Sequence, residues 1–415
     1  MVPLETQLTN DLMELEKRAL SRSLSNISSA PGTIIESEGR QYVNFSSNDY
    51  LGLATHPVLK QAAQEAISNY GTGTGSSRLI SGSNTLFHEL EATLALFKGT
   101  DSALVFSTGY AATMGAIPCL FTTGDVILVD RLAHASIVDA SRFSGACLRV
   151  FRHNDVGHLN QLLQWASLRA KSSDENQGDS NIEGEKSRPL SRAPRILIAT
   201  ESVFSMDGDT APLADIVELK EKYKASLFLD EAHATGVCGA HGKGLADACG
   251  VSKHVDIAMG TLGKALGSSG GFVCGSSNLI KFLVNRARTF LFSTAPIPAS
   301  AAASRVALNL VSSDEGESRR TVLWKNINLL SSALNRAENS RSAICPVFIG
   351  LEEKALAISR KLRDDGFFVP AIRYPTVARG KARLRISLSS EHTAEQIHGL
   401  VSSLNRALTQ NGSAP

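Results

Sequence analysis

The 415 residues are enough for two to three domains, or for one large domain with a smaller appendage. With 42 Lys+Arg against 40 Asp+Glu, the balance argues against an electrostatic nucleic-acid binder, and 43% hydrophobic with 20% charged residues argues against a disordered or fibrous chain. No apolar run suits a membrane span, because the richest, Phe290 to Ala303, is broken by Pro296 and Pro298. The opening Met1-Val-Pro-Leu-Glu-Thr has neither the basic nor the apolar region of a signal peptide, so a cytoplasmic location is expected. The six cysteines are scattered without a C-x-x-C pair or a paired-histidine partner, which predicts reduced core residues and no metal site.

In chain order, Leu8, Leu12, Leu15 and Ala19 recur at steps of four, three and four, predicting an amphipathic helix. Tyr42-Val-Asn-Phe-Ser alternates like a strand. Helices are predicted over His56–Tyr70, Thr85–Phe97 and Leu213–Tyr223. Between them come short continuous apolar runs: Ala103–Phe106, Val126–Val129, Arg149–Phe151, Ile196–Ala199, Leu227–Leu229, Ile257–Met259 and Gly271–Cys274. Continuous rather than alternating runs predict an α/β fold with a mostly parallel sheet covered on both faces. The stretch 171–193 is polar and Gly/Ser-rich and predicts a surface insertion. Further on, a long helical region over Ala299–Arg336 should break near Gly316. Strands near Ala343–Ile349 and Ala382–Leu388 and a helix after Thr393 complete a smaller α/β unit. The expected division is an N-terminal arm over 1–48, a large domain over 49–292 and a small C-terminal domain over 293–415.

Several strand ends carry polar groups. Ser107-Thr-Gly109-Tyr110 opens a helix after a strand, a geometry that offers free amides and a helix dipole to an anion. Tyr110 is the aromatic at this turn and could lie against a ring. Arg131-Leu-Ala-His134, Glu201-Ser-Val-Phe-Ser205, Asp230-Glu-Ala-His233 and Thr261-Leu-Gly-Lys264 follow four other strands. In open α/β sheets, ligands bind outside the carboxyl ends of the strands. An acid, an imidazole, a hydroxyl and a lysine at one rim suit pyridoxal phosphate (PLP). The acid would hold the pyridine nitrogen protonated, the lysine would form the Schiff base, and the hydroxyl and nearby amides would take phosphate. Asp-Glu-Ala-His is also a helicase word, but Lys264 is followed by Ala265 instead of Ser or Thr, and a nucleotide loop should precede the acidic motif. Gly71-Thr-Gly-Thr-Gly-Ser-Ser-Arg78 follows a helix rather than a strand and so fails the context of a dinucleotide fingerprint.

With these segments, the chain resembles the α-oxoamine synthase family of fold type I PLP enzymes. The likeness runs from about residue 15 to 405. It rests on Asn44-Phe-Ser-Ser-Asn-Asp-Tyr-Leu-Gly-Leu, Leu132-Ala-His-Ala-Ser, His153-Asn-Asp, Glu201-Ser-Val-Phe-Ser-Met-Asp-Gly-Asp, Asp230-Glu-Ala-His, Thr261-Leu-Gly-Lys and Ala371-Ile-Arg-Tyr-Pro-Thr-Val. The insertion at 171–193 departs from the family's shorter connection.

The resemblance implies roles residue by residue. Lys264 would be the Schiff-base lysine, Asp230 the partner of the pyridinium nitrogen, and His233 a contact of the ring hydroxyl. His134 would stack on the ring and face the substrate. Gly109, Tyr110, Ser205 and Thr261 would line the cofactor, Thr261 toward the phosphate. Thr294 would reach the phosphate from the other subunit of a homodimer. Arg373 would bind the amino-acid carboxylate, Thr376 would touch the substrate, and Arg22 would meet the acyl substrate. The reaction implied is decarboxylative condensation of an amino acid with an acyl thioester. His153-Asn-Asp and Ala371-Ile-Arg-Tyr-Pro-Thr-Val favour L-alanine and a pimeloyl thioester, in biotin synthesis, with CoA or an acyl carrier protein as donor. The alternatives are a sister enzyme that joins glycine to acetyl-CoA, or serine or glycine to another acyl-CoA, or a silent subunit of the same fold. An intact Lys264, Asp230 and His233 argue against silence.

Overall fold

The computed structural model describes residues 2–175, 193–335 and 342–410. Seven strands form one sheet in the spatial order Ser102–Phe106, Gly271–Gly275, Ile257–Thr261, Ser226–Asp230, Ile196–Glu201, Val126–Asp130, Cys147–Phe151. Gly271–Gly275 runs antiparallel to both neighbours, and the other pairings are parallel. Alternation explains the continuous apolar runs. Ile127, Val129, Leu197, Ala199 and Phe228 pack into one core, while Val126, Leu128, Ile196, Ile198, Leu227 and Leu229 pack into another. The first core is completed by Ala112, Ala116 and Ile117 of the helix Gly109–Leu120 and by Ile137 and Ala140 of the helix Ala135–Phe143. The second is completed by Leu159 and Leu163 of the helix Val156–Glu175 and by Leu213, Ile216 and Val217 of the helix Leu213–Tyr223. Each fully buried Leu, Ile, Val or Phe contributes roughly 1.5–3 kcal/mol, so the two cores hold the sheet rigid beneath its strand ends.

The chain forms two compact units. The larger spans 56–204 and 210–317, and the smaller spans 2–55, 205–209 and 318–410. This partition differs from the expected division. The arm 1–48 groups with the C-terminal unit, and the boundary expected at 292/293 lies at 317/318, because the helix Pro298–Val311 packs on the helices Pro57–Tyr70 and Thr85–Lys98 of the large unit.

Within the smaller unit, Ile34–Ser37 pairs antiparallel with Arg40–Asn44, which also pairs in parallel with Phe367–Phe368. A second sheet places Ala382–Ser387 between Ile344–Gly350 and Ala371–Ile372, all antiparallel. The helices Glu352–Asp364 and Ala394–Gln410 bury Ile358, Leu362, Ile397, Leu400 and Leu404. His392 stacks on Phe45, with ring centroids 4.1 Å apart and planes 2° from parallel.

Three expectations need correction. The N-terminal helix exists over Leu4–Lys17, but none of its residues is buried, and Ala19 lies past its end with φ of 55°. Its apolar stripe therefore gains nothing from packing within the chain. The long C-terminal helical region breaks at Ser312–Ser313, slightly before Gly316. Gly316 lies in the first turn of the second helix, where a Cβ would stand 2.3 Å from the Val311 carbonyl oxygen. Residues 171–175, expected to open the polar insertion, instead continue the helix Val156–Glu175; the remainder, 176–192, lies outside the described residues.

Candidate active site

In the large unit the strands ending at Phe106, Asp130, Glu201, Asp230 and Thr261 run in one direction, so their carboxyl ends form one rim. Lys264 stands three residues beyond the last of these, and its Nζ lies 2.8 Å from Nε2 of His233. An ammonium there donates to Nε2, which is then the unprotonated ring nitrogen. His233 and Asp230 are both buried. Asp230 Oδ1 accepts the Ala232 N–H at 2.8 Å, the only hydrogen bond to this carboxylate among the described residues. Burial pushes the Asp230 carboxyl above the ordinary carboxylate range, and the charge of Lys264 is the largest influence pulling it back. A buried carboxylate so lightly paired fits a cationic ring.

His134 caps the helix Ala135–Phe143, its Nδ1 accepting the Ser136 N–H at 3.2 Å. This capping bond fixes the tautomer with the proton on Nε2. Burial pushes the His134 pKa below the ordinary value, opposed by Asp230, so the ring is neutral at pH 7. Asp230 and Lys264 both act on His134 and on each other, which puts the three in one electrostatic neighbourhood.

Thr108 caps the helix Gly109–Leu120, its Oγ1 accepting the Ala111 N–H at 2.9 Å. Gly109 packs against Thr261 so closely that a Cβ would lie 2.6 Å from Thr261 Cγ2. Thr261 Oγ1 is buried without a hydrogen-bond partner among the described residues. An orphaned hydroxyl beside a helix N-terminus fits an anion's oxygen. Tyr110 is nearly half exposed and its hydroxyl donates to Asp139 Oδ2 at 2.8 Å. Thr294 is exposed and bridges to Ser77.

In the smaller unit, Arg373 is buried and donates through Nη1 to the Ala19 carbonyl and through Nη2 to the Ser21 carbonyl at 3.2 Å. Its Nε has no partner, and no carboxylate bonds to it among the described residues. Burial, then the charge of Arg22, pushes its pKa below the ordinary guanidinium value. Arg373 is therefore no solvated surface charge. Arg22 is exposed and donates to the Tyr374 carbonyl at 2.8 Å. Thr376 is exposed, its N–H donating to the Arg373 carbonyl at 3.0 Å. Ser205 is buried, its carbonyl accepting Arg385 Nε at 2.6 Å.

Sequence reading missed the supports around these groups. Arg383 Nη1 pairs with Asp207 Oδ1 at 2.6 Å, and Arg385 also donates to Ser387 Oγ at 2.8 Å and Asn48 Oδ1 at 3.1 Å. His153 Nδ1 lies 2.9 Å from Asp130 Oδ1, and the Asn154 N–H donates to Asp130 Oδ2 at 3.0 Å, so that segment braces a strand end. A histidine-asparagine pair just past a strand was a signal for such a brace; nothing local signalled Asp207 and the Ser205 carbonyl, which stand 176 and 180 residues from Arg383 and Arg385. All six cysteines are free thiols, no group among the described residues could hold a metal ion, and no described helix is long and apolar enough to cross a membrane.

Residues 40–404 match the family model for aminotransferase class I and II. The chain is 43% identical over 403 residues to 8-amino-7-oxononanoate synthase of Geobacter sulfurreducens, covering 96% of this chain and 97% of that one. It is 42% identical to the synthase of the same name from Geotalea daltonii, covering 95% of each. Among solved structures, a serine palmitoyltransferase variant from S. paucimobilis with bound PLP superposes with a TM-score of 0.87 at 27% identity, covering 99% of this chain and 100% of that one. 8-Amino-7-oxononanoate synthase from Francisella tularensis superposes with a TM-score of 0.71 at 26% identity, covering 89% of this chain and 98% of that one.

Proposed function

The chain belongs to the aminotransferase class I and II family, and we propose that it condenses L-alanine with a pimeloyl thioester to give 8-amino-7-oxononanoate, CO2 and a free thiol. It is an acyltransferase with pyridoxal 5′-phosphate as its cofactor, alongside the 8-amino-7-oxononanoate synthases. The observation that carries the reading is Lys264 Nζ held 2.8 Å from His233 Nε2, in one electrostatic neighbourhood with the buried Asp230 and His134. When bound, the cofactor supplies an electron sink for the pair released at the amino-acid Cα and again on loss of CO2.

The residues divide the remaining work. Asp230 keeps the ring nitrogen protonated, since an ionised carboxylate and a pyridinium offset each other's burial. His233 would hold the ring hydroxyl and His134 would stack on the ring. Gly109, Tyr110, Ser205 and Thr261 hold the cofactor, with Thr261 Oγ1 donating to phosphate. Lys264 would anchor the cofactor, and its Nζ would take the Cα proton of L-alanine. Arg373 holds the substrate carboxylate through a planar two-pronged donor. Thr376 touches the substrate, and Arg22 meets the acyl chain or its carrier. The active form is a homodimer in which the exposed Thr294 serves the phosphate of the neighbouring subunit. CoA and an acyl carrier protein are both chemically competent thiols for the donor.

A product assay tests this reading. L-alanine, glycine and L-serine are crossed against pimeloyl, acetyl and palmitoyl thioesters, and 8-amino-7-oxononanoate from L-alanine and pimeloyl thioester should dominate. Preferential turnover of serine with palmitoyl thioester would move the chain to the chemistry that the name of its structural neighbour describes.

A further inference from the structure

Glu231 lies between Asp230 and His233 in the chain and takes no part in the chemistry above. Its side chain is 4% exposed, as is that of Lys98, and the two form a buried ion pair with Lys98 Nζ 2.8 Å from Glu231 Oε2. Lys98 ends the helix Thr85–Lys98 and stands 133 residues from its partner. The ammonium has three donors, and all three are used: Glu231 Oε2, Thr235 Oγ1 at 2.9 Å and the Lys243 carbonyl. The other carboxylate oxygen, Oε1, accepts the Ala246 N–H at 2.9 Å. Gly244, at φ of +131°, admits this carboxylate, because a Cβ there would lie 2.4 Å from Glu231 Oε2.

The pair thus grips the turn 231–235 from two sides. The same turn is tied at its start by the Glu231 N–H to the Met259 carbonyl, and within by the Ala234 and Thr235 N–H groups to the Glu231 carbonyl. Asp230 immediately precedes it, and His233 lies within it. A buried ion pair is a poor way to gain stability, since apolar residues of similar volume commonly do as well. Its place directly against two site residues points to a role that depends on charge and position.

We infer that Lys98 and Glu231 are positioning residues: the pair seats the Asp230–His233 turn and cancels the Glu231 charge beside Asp230. The inference rests on the reading of Asp230, His233 and Lys264 as cofactor-holding groups. Asp230 feels Lys264, His134 and Glu231. Cys238 and Cys274 also face the pair, but burial pushes both thiols up to about 12, so they add no charge.

The test uses the holoenzyme and follows the pH midpoint of the bound cofactor's near-visible absorbance, beside thermal stability. Lys98→Met strips Glu231 of its counter-charge. Uncompensated negative charge favours protonated forms, so the midpoint should rise on the order of half a pH unit. Glu231→Gln leaves the ammonium uncompensated, and the midpoint should fall. The double variant removes both charges and should return toward the parent. Opposite shifts with cancellation are not produced by loss of packing alone. Should Lys98→Met fail to fold, Glu231→Gln tests the sign by itself, because Lys98 keeps its Thr235 and Lys243 acceptors. Midpoints of the folded variants at the parent value, or shifts of one sign, overturn the inference. Lys264→Ala is the separate control: if it retains the parent absorbance, the lysine assignment fails, whatever the other variants do.

Discussion

The strand Ala382–Ser387 buries two arginines and pairs both, whereas the strand ends at Asp230 and Thr261 bury polar groups and leave them short. Arg383 meets Asp207 and the Met206 carbonyl, while Arg385 meets Ser205, Ser387 and Asn48. Among the described residues, Asp230 has one amide and Thr261 Oγ1 has no partner. An unpaired buried polar group costs about 1–3 kcal/mol, so it persists where a ligand completes it. The contrast separates paired polar groups from short ones, and Arg373 of the smaller unit shares the second condition, because its partners are two carbonyls and its Nε is left over among the described residues.

The largest effect expected from this contrast is at Asp230. Asp230→Asn keeps the shape and removes the charge, so turnover should fall on the order of 100- to 1,000-fold. The melting temperature should hold or rise, because a lightly paired buried carboxylate is gone. A fall in stability with near-normal turnover would place Asp230 in the scaffold.

The two kinds of buried arginine give the next test. Arg373→Lys should weaken L-alanine binding about 10- to 100-fold while leaving the cofactor bound, since a lysine cannot reproduce the two-pronged donor. Arg385→Met should do the reverse: it strands three acceptors and should lower stability by roughly 2–3 kcal/mol, with little direct effect on L-alanine affinity. Spectral titration with L-alanine and urea unfolding separate the two outcomes.

A stability effect of similar size belongs to the scaffold alone. His392 is held neutral between the Ser389 N–H and the Asn44 carbonyl, and burial lowers its pKa from 6.5 to about 4. Between those values the unfolded chain binds a proton that the folded chain refuses. Stability is therefore full above pH 6.5 and falls as pH drops toward 4, by roughly 3 kcal/mol in all. Urea midpoints at pH 7 and pH 4.5 should differ more in the parent than in His392→Gln. The smallest effect is at Thr261: Thr261→Val removes the orphaned hydroxyl without changing shape and should weaken cofactor binding about tenfold, with stability unchanged or raised.

Much of this was legible in the sequence. Continuous apolar runs such as Val126-Ile-Leu-Val announce strands buried on both faces, and the sheet splits them residue by residue between two cores. The strand-end positions of Lys264, Asp230, His233 and His134 follow from where those runs stop. What stayed hidden depends on partners remote in the chain. Ala382-Arg-Leu-Arg-Ile reads as a strand with one polar face in water, yet that face is buried, because the segment 205–207 supplies carbonyls and a carboxylate to it. Leu8, Leu12 and Leu15 share a helical face as their spacing requires, but spacing cannot say whether anything covers that face. The Lys98–Glu231 pair has no local signature at all.

The central claim is that Lys264 anchors the cofactor at the rim built by Asp230 and His233. Reduction of the holoprotein with borohydride, followed by proteolysis and peptide mapping, measures this most directly. The cofactor should be recovered covalently attached to Lys264 at close to one per chain. Recovery on any other lysine, or no covalent attachment in active holoprotein, would contradict the account.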